Sequence, residues 1–189
     1  MLQLGILHDL LILRITQSNK EEKKFPLARI VGRAGVKWTS EIPVDKGWID
    51  ILVPKQKGIE RPYVIEVETG YNLDCSQILR KFERFGKAWT KPGSLPVGLS
   101  GFLDSIRGIF PKFCVVIPLD FAEFSPIFKA KRISVFLWEG TLEWKCKKCK
   151  EITLGSGPRK PMKCNSCNKN EKSLRLVGLA DFNLKETDV

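Results

Sequence analysis

Gly47-Trp48-Ile49-Asp50-Ile51-Leu52-Val53 and, after a charged turn around Gly58, Tyr63-Val64-Ile65-Glu66-Val67-Glu68 are the two stretches that decide the fold. Both are short, rich in β-branched and aromatic residues and bounded by turn formers, which predicts two hairpin-linked strands. A carboxylate inside a strand as apolar as the first must sit at the sheet end, be paired, or bind a metal, because an uncompensated buried charge is prohibitively costly. In the second stretch, side-chain alternation sends Glu66 and Glu68 to one face while Ile65 and Val67 cover the other. The pair can then meet Asp50 across the ladder. Three such charges would repel one another and raise their own pKa values, a penalty that a divalent cation reverses; Mg²⁺ prefers one or two carboxylates, waters and a phosphate oxygen. A solvated strand end paired with nearby Lys and Arg is the alternative that the residues leave open.

Working outward, Leu4, Leu7, Leu10 and Leu11 recur at helical steps between Met1 and about Thr16, and Trp38 to Val44 reads as a further strand before Asp50's. Between them, Pro26 is a plausible first residue of a helix that Gly32 and Gly35 limit to about two turns. After Gly70, the segment Asp74 to Trp89 places Ile78, Phe82, Phe85 and Trp89 on one side and Gln77, Lys81 and Arg84 on another, which predicts a helix packed on a sheet. Residues 91 to 111 collect Pro, Gly and Ser and read as a long loop. A strand Phe113 to Ile117, a short helix around Phe121 to Lys131, a strand Ile133 to Trp138 and a returning strand Leu174 to Phe182 complete the chain. Strands on one sheet with helices on its faces define the α/β class. The expected division is a main domain over 1–140 and a cysteine-bearing module over 141–189.

That module announces itself by spacing. Cys146-Lys147-Lys148-Cys149 and Cys164-Asn165-Ser166-Cys167 are two tight pairs separated by fourteen residues, the arrangement of a structural zinc ribbon with all four cysteines as ligands. The intervening Gly155-Ser156-Gly157-Pro158 is turn material, and so few apolar residues need the metal to hold them. Cys75 and Cys114 stand alone and read as small buried hydrophobes. Residues 145–172 carry nine Lys or Arg against two Glu, a large share of the chain's net charge of +11. Lys147, Lys148, Arg159, Lys160 and Lys163 are therefore candidate phosphate contacts; a solvated basic face that offsets the thiolate charge is the alternative.

An Asp on one strand, an acidic-x-acidic pair on the next and a helix carrying Gln and Lys together resemble the PD-(D/E)XK nuclease superfamily, the restriction-endonuclease-like group that includes archaeal Holliday-junction resolvases. The resemblance covers about residues 1 to 138. It implies an αβββαβαβ core with the zinc ribbon inserted or appended, and a catalytic Mg²⁺ or Mn²⁺ on Asp50 and Glu66. The family's third position is usually Lys, and here Glu68 holds it; Lys81, one helical turn beyond Gln77, is the candidate substitute. A further acidic residue on a leading element is implied, with Glu41 the first choice and Glu22 the second. The single His, His8, reads as a solvated or locally bonded side chain.

A strongly basic chain with no long apolar run excludes a membrane-spanning protein and points to a cytoplasmic one with a nucleic-acid partner, DNA before RNA. The leading expectation is a metal-dependent DNA nuclease, acting on branched or flapped substrates. The alternatives are a catalytically inactive nucleic-acid-binding or regulatory protein and a ribbon that docks onto a replication or transcription assembly. Family resemblance also makes a homodimer plausible.

Overall fold

A computed structural model describes residues 2–16, 27, 30–31, 36–44, 47–71, 73–90 and 109–187. Glu22, the helix expected from Pro26 and residues 91–108 of the expected loop lie outside the described residues. The elements are α1 (Leu2–Thr16), β1 (Thr39–Val44), β2 (Gly47–Val53), β3 (Tyr63–Val67), α2 (Cys75–Thr90), β4 (Lys112–Pro118), a 3₁₀ turn (Leu119–Phe124) leading into α3 (Ser125–Lys129), β5 (Ser134–Cys146), β6 (Ile152–Ser156) and β7 (Leu174–Glu186).

All seven strands belong to one mixed sheet. β1, β2 and β3 are consecutive antiparallel neighbours. β4 joins β3 in parallel and β5 joins β4 in parallel, so α2 and the 119–129 segment serve as the crossovers that parallel pairing requires. The chain is thus an α/β protein in which most of β4 and the first part of β5, Val135 to Trp138, are continuous apolar runs, as expected for strands covered on both faces.

Two apolar layers sandwich the sheet. On one side α1 buries Leu7, Leu11, Ile12 and Ile15 against Ile51, Val53, Ile65, Val67, Val116 and the inner residues of β5 and β7. On the other, α2 buries Ile78, Phe82, Phe85 and Ala88 against Leu52, Val64, Val115 and Ile117. Each large side chain so buried contributes about 1.5–3 kcal/mol. α2 begins at Asp74, whose Oδ1 accepts the N–H groups of Ser76 (2.9 Å) and Gln77 (3.2 Å), a side-chain cap that fixes the start of the helix.

β5 does not stop near Trp138. It continues for thirteen residues to Cys146, through the 140/141 point where a second module was expected to begin. β7 pairs with it from Phe136↔Glu186 to Cys146↔Leu174, and β6 pairs with its distal part. Trp144, Cys146, Cys164, Leu174 and Leu176 belong to the same apolar cluster as α1, so the cysteine-bearing part shares the main core. The lone cysteines divide: Cys114 is buried, and burial pushes its thiol up to about 12, whereas Cys75 is half-buried at the first residue of α2 and is not the core residue expected. Among the described residues no helix is long and apolar enough to cross a membrane.

Candidate metal centre and acidic cluster

The four cysteines converge as their spacing predicts. Their sulfurs all lie within 4.8 Å of one another, with Cys146 to Cys167 at 3.7 Å and Cys149 to Cys164 at 3.5 Å. Sulfurs bonded at ~2.3 Å to one tetrahedral ion are separated by about this much, so the site fits a structural Zn²⁺.

The two pairs are built alike. The N–H of Lys150 bonds to the carbonyl of Cys146 and that of Asn168 to the carbonyl of Cys164, each at 3.0 Å. Lys150 and Asn168 both take left-handed φ, 68° and 56°. That turn brings the N–H of Cys146 to the carbonyl of Glu151 (2.9 Å) and the N–H of Cys164 to that of Lys169 (2.8 Å). Backbone N–H groups also face the sulfurs: Lys148 N–H is 3.4 Å from Cys146 Sγ, and those of Cys167 and Ser166 hold the Cys164 thiol down at about 6. Backbone N–H groups thus favour the thiolates of Cys146 and Cys164, whereas burial and the neighbouring sulfurs push Cys149 up to about 12.

The second cluster sits where β2 and β3 part. Their ladder ends at Ile51↔Ile65; continued by one step it would pair Asp50 with Glu66. At Asp50 the alternation of β2 slips: Ile51 and Val53 lie in the α1 layer, while Ile49 and Leu52 both lie in the α2 layer. Asp50 is consequently reached from both faces. Its Oδ2 accepts the Val67 N–H at 2.7 Å and lies 3.3 Å from His8 Nε2 of α1, while Oδ1 is 3.9 Å from Lys81 Nζ of α2. Lys81 Nζ also donates to Glu66 Oε2. Glu66 is 0% exposed, and its Oε1 is buried with no hydrogen-bond partner.

The charges respond to this crowding. Burial, then the Asp50 charge, push Glu66 well above the usual carboxylate range, and the same two causes raise Glu68 to about 7. Asp50 moves the other way: burial would raise it, but His8, Lys81 and the Val67 N–H outweigh that and hold it low. Burial would also lower His8 and Lys81, and the facing carboxylates raise both. The result is an ionised Asp50 between the His8 imidazole and the Lys81 ammonium, beside two carboxyl groups that hold protons unusually well.

The expected site residues separate into those that come together and those that do not. Asp50, Glu66 and Lys81 are in mutual reach, and Glu68 is near enough for its charge to be felt, but no third acidic or His ligand atom closes to within 4.8 Å; among the described residues only the cysteines form such a group. The three-carboxylate convergence is replaced by a lysine ammonium shared between two. Gln77 is exposed, with its backbone N–H on Asp74. Glu41 is a correction: it stands in left-handed φ (51°) at the point where the β1–β2 ladder skips a pair, and its side chain is exposed. His8 meets its sequence neighbour Asp9 through Nδ1 (3.8 Å), in line with the locally bonded side chain expected, but it is half-buried and its Nε2 also reaches Asp50, a contact that was not expected. Its one sequence signal is the step from Leu7 and Leu11, which sets it at the edge of α1's buried stripe.

The β3 exit is held firmly. Trp138 Nε1 donates to the Glu68 carbonyl (3.0 Å) and Glu68 N–H to the Val116 carbonyl (2.8 Å). Gly70 follows at φ 85°, where a Cβ would lie 2.6 Å from Pro118 and 3.3 Å from Pro158, so the loop carrying Arg159 closes against the strand end. Among the basic candidates, Lys147, Lys148, Arg159 and Lys163 are exposed, while Lys160 Nζ is 5.5 Å from the Trp144 ring centroid and Arg159 Nε is 3.8 Å from Asp120 Oδ2.

Comparison with known proteins gives no match to a family model, to a curated protein or to a solved structure. Fold and sites together define an α/β protein with a mixed seven-stranded sheet and a four-cysteine cluster that fits a structural zinc ion.

Proposed function

We propose that this protein is a metal-dependent nuclease that hydrolyses DNA phosphodiester bonds, with the restriction-endonuclease-like arrangement that its motif resembles. The observation that carries the reading is that Asp50 and Glu66, just past the parting ends of adjacent strands, share one lysine from the following helix. The unpartnered, buried Oε1 of Glu66 fits a cation, because a carboxylate oxygen excluded from water and from every donor is strongly disfavoured unless it protonates or binds one.

Asp50 and Glu66 would hold the ion, Mg²⁺ or Mn²⁺; when bound it supplies a water of lowered pKa and neutralises charge on the phosphate. Lys81 then faces the negative charge that develops on the transferred phosphoryl group, with an ammonium already held in place by two carboxylates. Glu68, titrating near neutrality, is suited to take a proton from the attacking water. Lys147, Lys148, Arg159 and Lys163 would grip the DNA backbone; Lys160, spread over Trp144, contributes mainly packing.

A second reading has one observation in its favour. Lys81 compensates Glu66 by a direct ion pair, as it would in a nuclease fold that has lost catalysis and only binds nucleic acid. The deciding experiment incubates the zinc-loaded protein with single-stranded, duplex, flapped and four-way DNA, and with RNA, in Mg²⁺, Mn²⁺ or chelator. Cleavage that requires the ion and vanishes in Asp50→Asn supports the nuclease; salt-sensitive binding without cleavage selects the alternative.

A further inference from the structure

We infer that His8 is a positioning residue, one that fixes which oxygen of Asp50 is offered to the cation. The inference rests on the reading of Asp50 as a metal ligand and adds a role for a residue outside its strand motif.

Asp50 has two inequivalent oxygens. Oδ2 is occupied by two donors, the Val67 N–H at 2.7 Å and His8 Nε2 at 3.3 Å. Oδ1 has the Lys81 ammonium 3.9 Å away, beyond hydrogen-bond length. The Val67 bond alone can be made by either oxygen, because the carboxylate turns about its Cβ–Cγ bond. A second donor, arriving from the opposite face of the sheet to Lys81, confines it to one rotamer and directs Oδ1 toward Glu66 and the side on which Lys81 lies.

The imidazole is well placed to do this. Its neighbours Leu7 and Leu11 are buried in the sheet-covering layer, so α1 cannot rotate His8 away without exposing them. The ring is half-buried, and its Nδ1 lies 3.8 Å from Asp9 Oδ1, a second contact that favours the orientation with Nε2 toward Asp50. Groups that orient a metal ligand without touching the metal typically contribute 10–100-fold to metal affinity or activity.

The test uses the zinc-loaded full chain and Mn²⁺ as the probe. Electron paramagnetic resonance titration should show Mn²⁺ binding about tenfold weaker in His8→Ala, with DNA cleavage reduced in step, and most of both restored in His8→Gln, whose amide can still donate to Oδ2. Pulsed measurements on ¹⁵N-labelled wild type should show no imidazole nitrogen coordinated to the Mn²⁺. Because the chain has a single His, its ¹⁵N side-chain resonances in the metal-free protein report the contact directly and should move in Asp50→Asn. Resonances that stay put overturn the proposal even if His8→Ala misfolds. A coordinated imidazole overturns it by making His8 a ligand. A wild type that binds Mn²⁺, with His8→Ala binding and cleaving equally well, overturns this role alone. A wild type that binds none overturns the nuclease reading together with it.

Discussion

The four-cysteine cluster and the acidic cluster are both assembled at strand ends, yet they solve opposite problems. Around the cysteines every sulfur faces three others, and backbone N–H groups turn toward them through two near-identical turns, so the arrangement is closed and self-sufficient once an ion is present. Around Asp50 and Glu66 the compensation is partial: one oxygen is orphaned, two carboxyl groups titrate high, and the imidazole and the ammonium come from helices on opposite faces. A closed shell stabilises; an incompletely compensated one retains the capacity to bind and react.

The largest expected effect tests whether the closed shell is an appendage. Because Cys146 and Cys164 share α1's apolar cluster, replacing Cys146 and Cys149 by Ser should lower the melting temperature of the whole chain by about 10 °C, the scale of ~4 kcal/mol in a protein of this size, in one cooperative transition. Calorimetry showing an unchanged main transition would restore the picture of an independent ribbon. Next in size, Glu66→Gln should cut cleavage by about 10²-fold or more while leaving thermal stability at pH 8 equal or higher, since a buried group that resists ionisation is replaced by a neutral one. A loss of both together would make Glu66 structural.

Smaller, but diagnostic, is pH. The folded-state pKa values of Glu68 and His8 are raised, so their contributions are fully present below the unfolded values and disappear as pH rises through the folded ones. Metal-free stability should therefore fall by ~1–2 kcal/mol between about pH 4.5 and 7, less than the full shift of Glu68 would give because that side chain is partly exposed. Denaturant titrations in saturating Mn²⁺ should flatten the slope; an identical slope with and without the ion would argue against carboxylate ligation. Last, Asp74→Ala should cost about 1 kcal/mol through the α2 cap. If α2's start sets Lys81's reach, cleavage should fall several-fold in the same variant, and cleavage unchanged would free Lys81 from that dependence.

The two clusters were also unequally legible. Four cysteines in two tight pairs state their geometry locally, and the element order could be read because Asp50's strand is apolar throughout and α2 repeats Ile78, Phe82, Phe85 at helical steps. Lys81 was accessible by the same periodicity, one turn from Gln77. What failed depended on long-range geometry. Glu41 is implied only by the family resemblance, and the β1–β2 ladder skips a pair there, leaving its side chain exposed. The strand read as Ile133 to Trp138 runs on through Gly140, where β7 passes so close that a Cβ would come within 2.5 Å of the Asp181 carbonyl. His8 acquires its role only when α1 docks, forty-two positions ahead of its partner in the chain.

The docking of α1 carries a consequence for biosynthesis. Its buried face rests partly on β7, and Arg14 reaches the Leu179 carbonyl at 2.9 Å across 165 positions of sequence. At translation speeds of ~5–20 residues per second, Leu7, Leu11 and Ile15 emerge roughly 10–30 seconds before that surface exists. Through that interval the nascent helix is a ligand for chaperones, and the acidic centre lacks its imidazole. A ribosome stalled before β7 would thus hold a chain with an unfinished acidic centre, so that its assembly waits on β7.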